Sequence, residues 1–95
     1  IAANHSLSVG ADSATTIGAN MSTAVTESKA VDVGKDLVIN AGDSITLTCG
    51  DASFQLKKDG TILLKGKDIT IKGSGKINID AGGDVTIKGS KINQN

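Results

Sequence analysis

The chain has no proline, tryptophan, tyrosine or arginine, and only one phenylalanine, one histidine, one methionine and one cysteine in 95 residues. Each shortage removes a class of protein. A compact domain of this length fills its core with large apolar and aromatic side chains, and aromatics here are 1%. A single cysteine excludes an intrachain disulfide framework. Ten lysines balance ten acids, so neither the basic footprint of a nucleic-acid binder nor the charge excess of a disordered tail is present. No apolar run approaches the roughly 20 residues of a membrane span, and no signal peptide is legible. The chain opens at Ile1 and its only methionine is Met21, which predicts a piece cut from a longer protein.

What the chain does have is β-branched side chains and glycine in a repeat. Ile, Val and Thr number 11, 6 and 9, and glycine numbers 12. Gly10, Gly18, Gly34, Gly42, Gly50, Gly66 and Gly82 are all separated by multiples of eight, where chance would leave one or two in a single phase. Thr26, Lys58, Ser74 and Ser90 fill the remaining slots, two of them flanked by Gly73, Gly75 and Gly89. Two residues after the phased glycine comes Asp12, Asn20, Asp36, Asp68 or Asp84. Such self-similarity is the mark of a repeat architecture.

Each octad predicts a short strand and a tight corner. Glycine is expected to supply positive φ at the corner, and Asp or Asn to hydrogen-bond its own backbone there. Between corners the apolar residues alternate, with a predicted core of Leu37, Ile39, Ile45, Leu47, Ile69, Ile71, Ile77, Ile79, Val85 and Ile87, joined by Ala41, Cys49 and Ala81. A period of two means a strand with one buried face. Of 25 Val, Ile, Leu, Met and Phe residues, 19 are odd-numbered, because an even repeat preserves parity across every corner. No helical period persists long enough to compete.

About three inward side chains per octad are too few for a lone ribbon to enclose a core, and its edges would stay unpaired. Two closures remain open. One chain coils on itself as a β-solenoid, or three chains intertwine with each octad crossing one face of a triangular prism. The pattern favours the second, since a coil of about four turns would need end caps that are not legible. The expected fold is therefore all-β, a single fibrous domain over residues 1–95 forming an intertwined homotrimeric triple-stranded β-helix. At about 4.8 Å per octad, twelve octads predict a shaft of roughly 57 Å.

The halves differ. Residues 1–48 hold two Lys and five acids, a net −3, and residues 49–95 hold eight Lys and five acids, a net +3. Ser, Thr and Ala dominate the first 32 residues and Ile and Lys the stretch 61–92, so the tightest apolar packing is expected toward the C-terminal half. One segment breaks phase: Phe54, Leu56, Ile62 and Leu64 are even-numbered, yet Gly50 and Gly66 are sixteen apart. Asp59-Gly60 offers a two-residue hairpin turn, but with phase restored without net insertion the segment reads as a paired bulge or local remodelling of the shaft, with Phe54 packing on a neighbouring chain or marking a contact site.

Little in the chain carries chemistry. His5 stands alone, so no triad or His-rich metal site assembles within one chain. Cys49 holds a slot where other octads carry Val or Ala and reads as a small inward hydrophobe; three copies near an axis could not all pair, which suits a reducing compartment. The Asp ladder invites comparison with calcium-binding β-rolls, but their unit is nine residues long, and only Gly82-Gly83-Asp84 approaches it. The lysines between residues 57 and 91 lack arginine or aromatic partners and read as a solvated face, not a nucleic-acid groove. No Walker-type loop is present. Neither an enzyme nor a metal or cofactor is predicted.

The octad, with S-I-T-L-T at 44–48, L-K-K-D-G-T-I at 56–62, K-G-K-D-I-T-I-K-G-S-G at 65–75 and G-G-D-V-T-I-K-G-S-K-I-N at 82–93, resembles the C-terminal spike region of VgrG proteins. It is similar also to the octad-repeat needles of myophage cell-puncturing devices. The resemblance implies a trimeric spike at the tip of a type VI secretion tube, with base domains preceding Ile1. It implies assembly in the bacterial cytoplasm, injection through the target-cell membrane, and a blunt tip that receives a PAAR-repeat cap and carries effectors. The tip would be Lys88, Gly89, Ser90, Lys91, Ile92, Asn93, Gln94 and Asn95. A phage baseplate spike and a calcium-binding solenoid module stand as alternatives.

Overall fold

The computed structural model describes residues 3–94. Internal contacts divide the chain into two units, Ile1–Leu37 and Val38–Asn95. Among the described residues there is no helix, and paired strands occur only within the second unit.

The octad is a conformational repeat of the backbone. In the first unit the chain bends sharply at residues 10–11, 18–19, 26–27 and 34–35. In the second it bends at 42–43, turns at 50–51 and 58–59, and bends again at 67–68, 74–75, 82–83 and 90. Side-chain environment repeats with it. Ile69, Ile77 and Val85 expose 52–53% of their surface, while Ile71, Ile79 and Ile87, two residues further on, expose 66–73%. Residues eight apart therefore sit alike, and residues two apart do not.

The corners form for a different reason from the one glycine suggests. Among the described residues only Gly50 (φ 56°) and Gly60 (φ 94°) have left-handed backbone. Gly10, Gly18, Gly34, Gly42, Gly66 and Gly82 do not, so the expectation of positive φ at those corners is corrected. This is also why Thr26 and Ser74 occupy equivalent slots and the chain still bends there. Nor do the corner carboxylates close on their own backbone. The side-chain hydrogen bonds among the described residues are Gln55 Nε2 to Thr46 Oγ1 at 3.5 Å and Thr61 N–H to Asp59 Oδ1 at 3.0 Å, and neither involves Asp12, Asn20, Asp36, Asp68 or Asp84.

One glycine is required by a close approach. A Cβ on Gly73 would lie 2.8 Å from Ile77 Cγ1 and 3.3 Å from the Lys76 carbonyl oxygen. Ile77 thus folds back over the corner, and the backbone at Gly73 makes room for it.

The regular structure is a three-stranded antiparallel meander of β1 (Ser44–Cys49), β2 (Ala52–Lys57) and β3 (Ile62–Lys65), in the order β1-β2-β3. Cys49 pairs with Ala52, which leaves Gly50-Asp51 as a two-residue turn. Left-handed backbone at the first turn residue only is the type II′ pattern that matches strand twist. Gly50 is thus a point of reversal and not a corner between successive faces.

The second hairpin has three loop residues, Lys58, Asp59 and Gly60, where the sequence alone suggested two. Gly60 N–H donates to the Lys57 carbonyl at 3.1 Å, and Lys57 N–H donates to the Thr61 carbonyl at 3.0 Å. This is a tight turn followed by a left-handed glycine bulge, and Asp59 clamps it by accepting from Thr61 N–H. Lys58 N–H donates to the Asp43 carbonyl at 3.0 Å, and their side chains meet at 3.3 Å across solvent.

No described side chain is buried. Ile45, Ser53, Gln55, Leu56 and Gly66 are half-buried, three of them on the central strand β2. Of the ten predicted core residues, Leu37, Ile39, Leu47, Ile69, Ile71, Ile77, Ile79, Val85 and Ile87 are exposed in the single chain, and only Ile45 is half-buried.

Two substitutions check these local requirements. Gly60→Ala places a Cβ in left-handed backbone and is expected to reduce stability by about 1–2 kcal/mol. Gly73→Ala overpacks the corner against Ile77 and is expected to cost about 1–3 kcal/mol. Urea unfolding midpoints measure both; unchanged midpoints would contradict the turn and the corner respectively.

Candidate functional site

The meander assembles what the linear pattern left apart. Its β1–β2 register pairs Ile45 with Leu56 and Leu47 with Phe54, and its β2–β3 register pairs Leu56 with Ile62 and Phe54 with Leu64. Residues paired across antiparallel strands share a face. Ile45, Leu47, Cys49, Ala52, Phe54, Leu56, Ile62 and Leu64 therefore form one apolar face.

The phase break follows from this register. Paired numbers sum to an odd total across a two-residue turn, so the odd apolar residues of β1 sit opposite the even ones of β2. Across the three-residue loop the sum is even, and β3 keeps β2's parity. What looked like a bulge or remodelling is two reversals of different loop length.

The opposite face is polar. Ser44, Thr46, Thr48, Ser53, Gln55, Lys57 and Lys65 lie there by the same registers, with Leu63 the exception. On the apolar side, Leu47, Cys49, Ala52, Phe54 and Leu64 line an open depression of about 420 Å³, with Thr48, Ser53 and Lys65 at its margin. Such a surface offers dispersion and desolvation to a partner but no acid, base or nucleophile pair. Cys49, on this face, is a free thiol and is exposed.

The residues assigned to the tip do not converge on this sheet. Lys88, Gly89, Ser90, Lys91, Ile92, Asn93 and Gln94 run without helix or paired strand, bend at Ser90 and are exposed. Asn95 lies outside the described residues. His5 is exposed in the first unit. Among the described residues no group of three or more His, Cys, Asp or Glu converges as a metal site, and no helix is long and apolar enough to cross a membrane.

Sequence reasoning found the unusual segment and missed the face it builds. The usable signal was the parity flip between Leu47 and Phe54 with glycine followed by aspartate in between, since only a turn of even length converts an odd stripe into an even one.

A shifted carboxyl lies at the edge of this site. Asp59 is held below the ordinary carboxylate range, first by the hydrogen bond it accepts from the Thr61 backbone and then by the neighbouring Thr61 hydroxyl. A depressed carboxyl stabilises the fold above its ordinary value of roughly 4 and loses that contribution as pH falls through the folded value. The β2–β3 turn is therefore expected to loosen on acidification below about pH 4, read as faster amide exchange at Gly60 and Thr61. Asp59→Asn keeps the acceptor oxygen and is expected to abolish that pH dependence; an unaltered pH profile in the variant would remove Asp59 as its source.

No protein-family model matches the chain, and no curated protein matches it.

Proposed function

We propose that three copies of this chain intertwine as a triple-stranded β-helix, the spike of a contractile injection apparatus. The spike punctures the target membrane mechanically and presents its C-terminal end to a PAAR-type cap or an effector. One observation carries the trimeric part of this reading. The chain has an accessible surface of 10216 Å², where a globular monomer of its mass has about 5,000 Å² and a fully unfolded chain about 13,800 Å². A large excess of this kind, presented as exposed Ile, Val and Leu at repeating positions, calls for coverage by other chains.

Two further features support it. Among the described residues, backbone hydrogen bonds are confined to the meander and to the contacts of Lys57, Lys58 and Gly60. Strands crossing the faces of a prism gain neighbours above and below from the other chains, which satisfies the remaining groups. Glycine at Gly10, Gly18, Gly34, Gly42 and Gly82 is also required neither by left-handed backbone nor by any atom of the same chain within 4 Å. Close approach of another chain at the corner supplies the missing reason.

The mechanical role follows from the bonding. Strand-to-strand hydrogen bonds then run along the axis, and interwound chains cannot slide apart without exposing the whole apolar stripe. The last strands leave backbone edges suited to docking a cap by strand addition. Nothing in this role requires catalysis, a metal or a cofactor.

Light scattering of a dilute solution is expected to return the mass of three chains. A stably folded single chain would overturn the proposal. Truncation after Ile87 is expected to leave that mass unchanged while abolishing cap binding in a pull-down, and full cap binding by the truncated trimer would remove the tip assignment.

A further inference from the structure

From the meander we infer a specific interaction surface: the apolar face of β1-β2-β3 is where three copies of this chain dock, each closing its own sheet, so that the segment sets their mutual register. The inference rests on the trimeric reading above and adds the place where the chains stop interweaving.

Residue bookkeeping comes first. From Gly42 to Gly66 is 24 residues, three octads. Over three octads a threefold shaft rises three strand spacings, about 14 Å, and each of its faces receives one strand from each chain. The meander uses the same 24 residues to stack three strands on one face from a single chain. The rise is the same, and no face is left short of a strand.

Direction and rotation also agree. Two antiparallel pairings leave β3 running in the same direction as β1, as successive shaft strands must. The reversals at Gly50-Asp51 and Lys58-Gly60 replace two corners, omitting two rotations of 120°. A threefold assembly is indifferent to that, because equivalent chains merely exchange faces. The bend after β3 falls at 67–68, one residue late, and the octad phase of the bends is regained at 74–75.

Continuity identifies the occupant of the apolar face. The stripe of Ile39 and Ala41 enters the sheet at Ile45 on the same parity, and Ile69 and Ile71 restore it after β3. If that stripe lines a shared axis, the sheet between its two parts lines it too. The opposite face carries the lysines and hydroxyls suited to water. Phe54, the only aromatic side chain in the chain, then meets its own copies.

Octads are nearly interchangeable, so chains built only of octads pair almost equally well when displaced by eight residues, and their register is weakly specified. The meander occurs once per chain. Displacement by one octad would set an apolar sheet against polar corners, and the aligned arrangement wins. Its pairings are also local in sequence, so it forms early relative to the interchain strands.

Strand ownership is tested in the full chain with Cys49→Ala, Thr46→Cys and Gln55→Cys combined, since residues 46 and 55 are paired neighbours. After oxidation, denaturing electrophoresis without reductant is expected to show single chains, from a sample that light scattering finds trimeric beforehand. Crosslinked dimers and trimers would overturn the inference while leaving the trimer intact; a monomer before oxidation would instead sink the trimeric reading itself. Phe54→Glu is expected to lower the thermal midpoint of the trimer, with Phe54→Leu close to the parent. Equal midpoints for the parent and Phe54→Glu would show that the face does not meet its copies. Deletion of residues 43–66 keeps the eight-residue phase and is expected to refold into trimers of mixed register, resolved as several bands on a native gel. A single band would overturn the register role.

Discussion

Alternation within a β-strand, carried through a repeat of even length, is the constraint on which this chain depends. A strand turns successive side chains to opposite faces, and eight residues bring the next strand back to the same parity. Every octad thus offers its apolar residues to the same side. That single-sidedness gives the chain an apolar stripe with no second layer of its own: Ile, Val and Leu residues that would be a core elsewhere stand 44–79% exposed. On the proposed assembly this uncovered stripe is half of an interface, repeated octad by octad.

The meander shows how parity can be broken and repaired without disturbing the repeat. A two-residue turn reverses the chain and exchanges odd for even, and a three-residue loop reverses it again with parity retained. The bend at 67–68, one residue later than the octad slot, then returns the stripe to odd positions. The reversals fall where octad corners would fall, so strand length is conserved while connectivity changes. Their chemistry is matched to that use: among the described residues Gly50 and Gly60 alone take left-handed backbone, and Asp59 ties the longer loop to Thr61. The ordinary corners need no left-handed residue, and the chain bends at Thr26 and Ser74 as it does at the glycines.

On the proposed assembly the two kinds of segment divide the work. Octad stretches bind chains to one another through backbone pairing, which distributes axial load but specifies alignment poorly. The meander binds each chain to itself and meets its neighbours only through side chains, which specifies alignment because it occurs once. Rigidity and register thus come from different arrangements of the same strand length.

Sequence by itself determined the strand period, the eight-residue corner phase, the absence of helix among the described residues and the place where the pattern breaks. All four depend on local sterics and on alternation, which are written in consecutive residues. Tertiary structure alone decided that Gly50 reverses the chain, that the loop at Lys58-Asp59-Gly60 has three members, and that Leu47 and Phe54 share a face. It also decided that Gly73 must be bare, because Ile77 folds back onto it. Those outcomes turn on which strands pair and in what register, and pairing is a relation between residues distant in the chain, which a local pattern restricts without selecting.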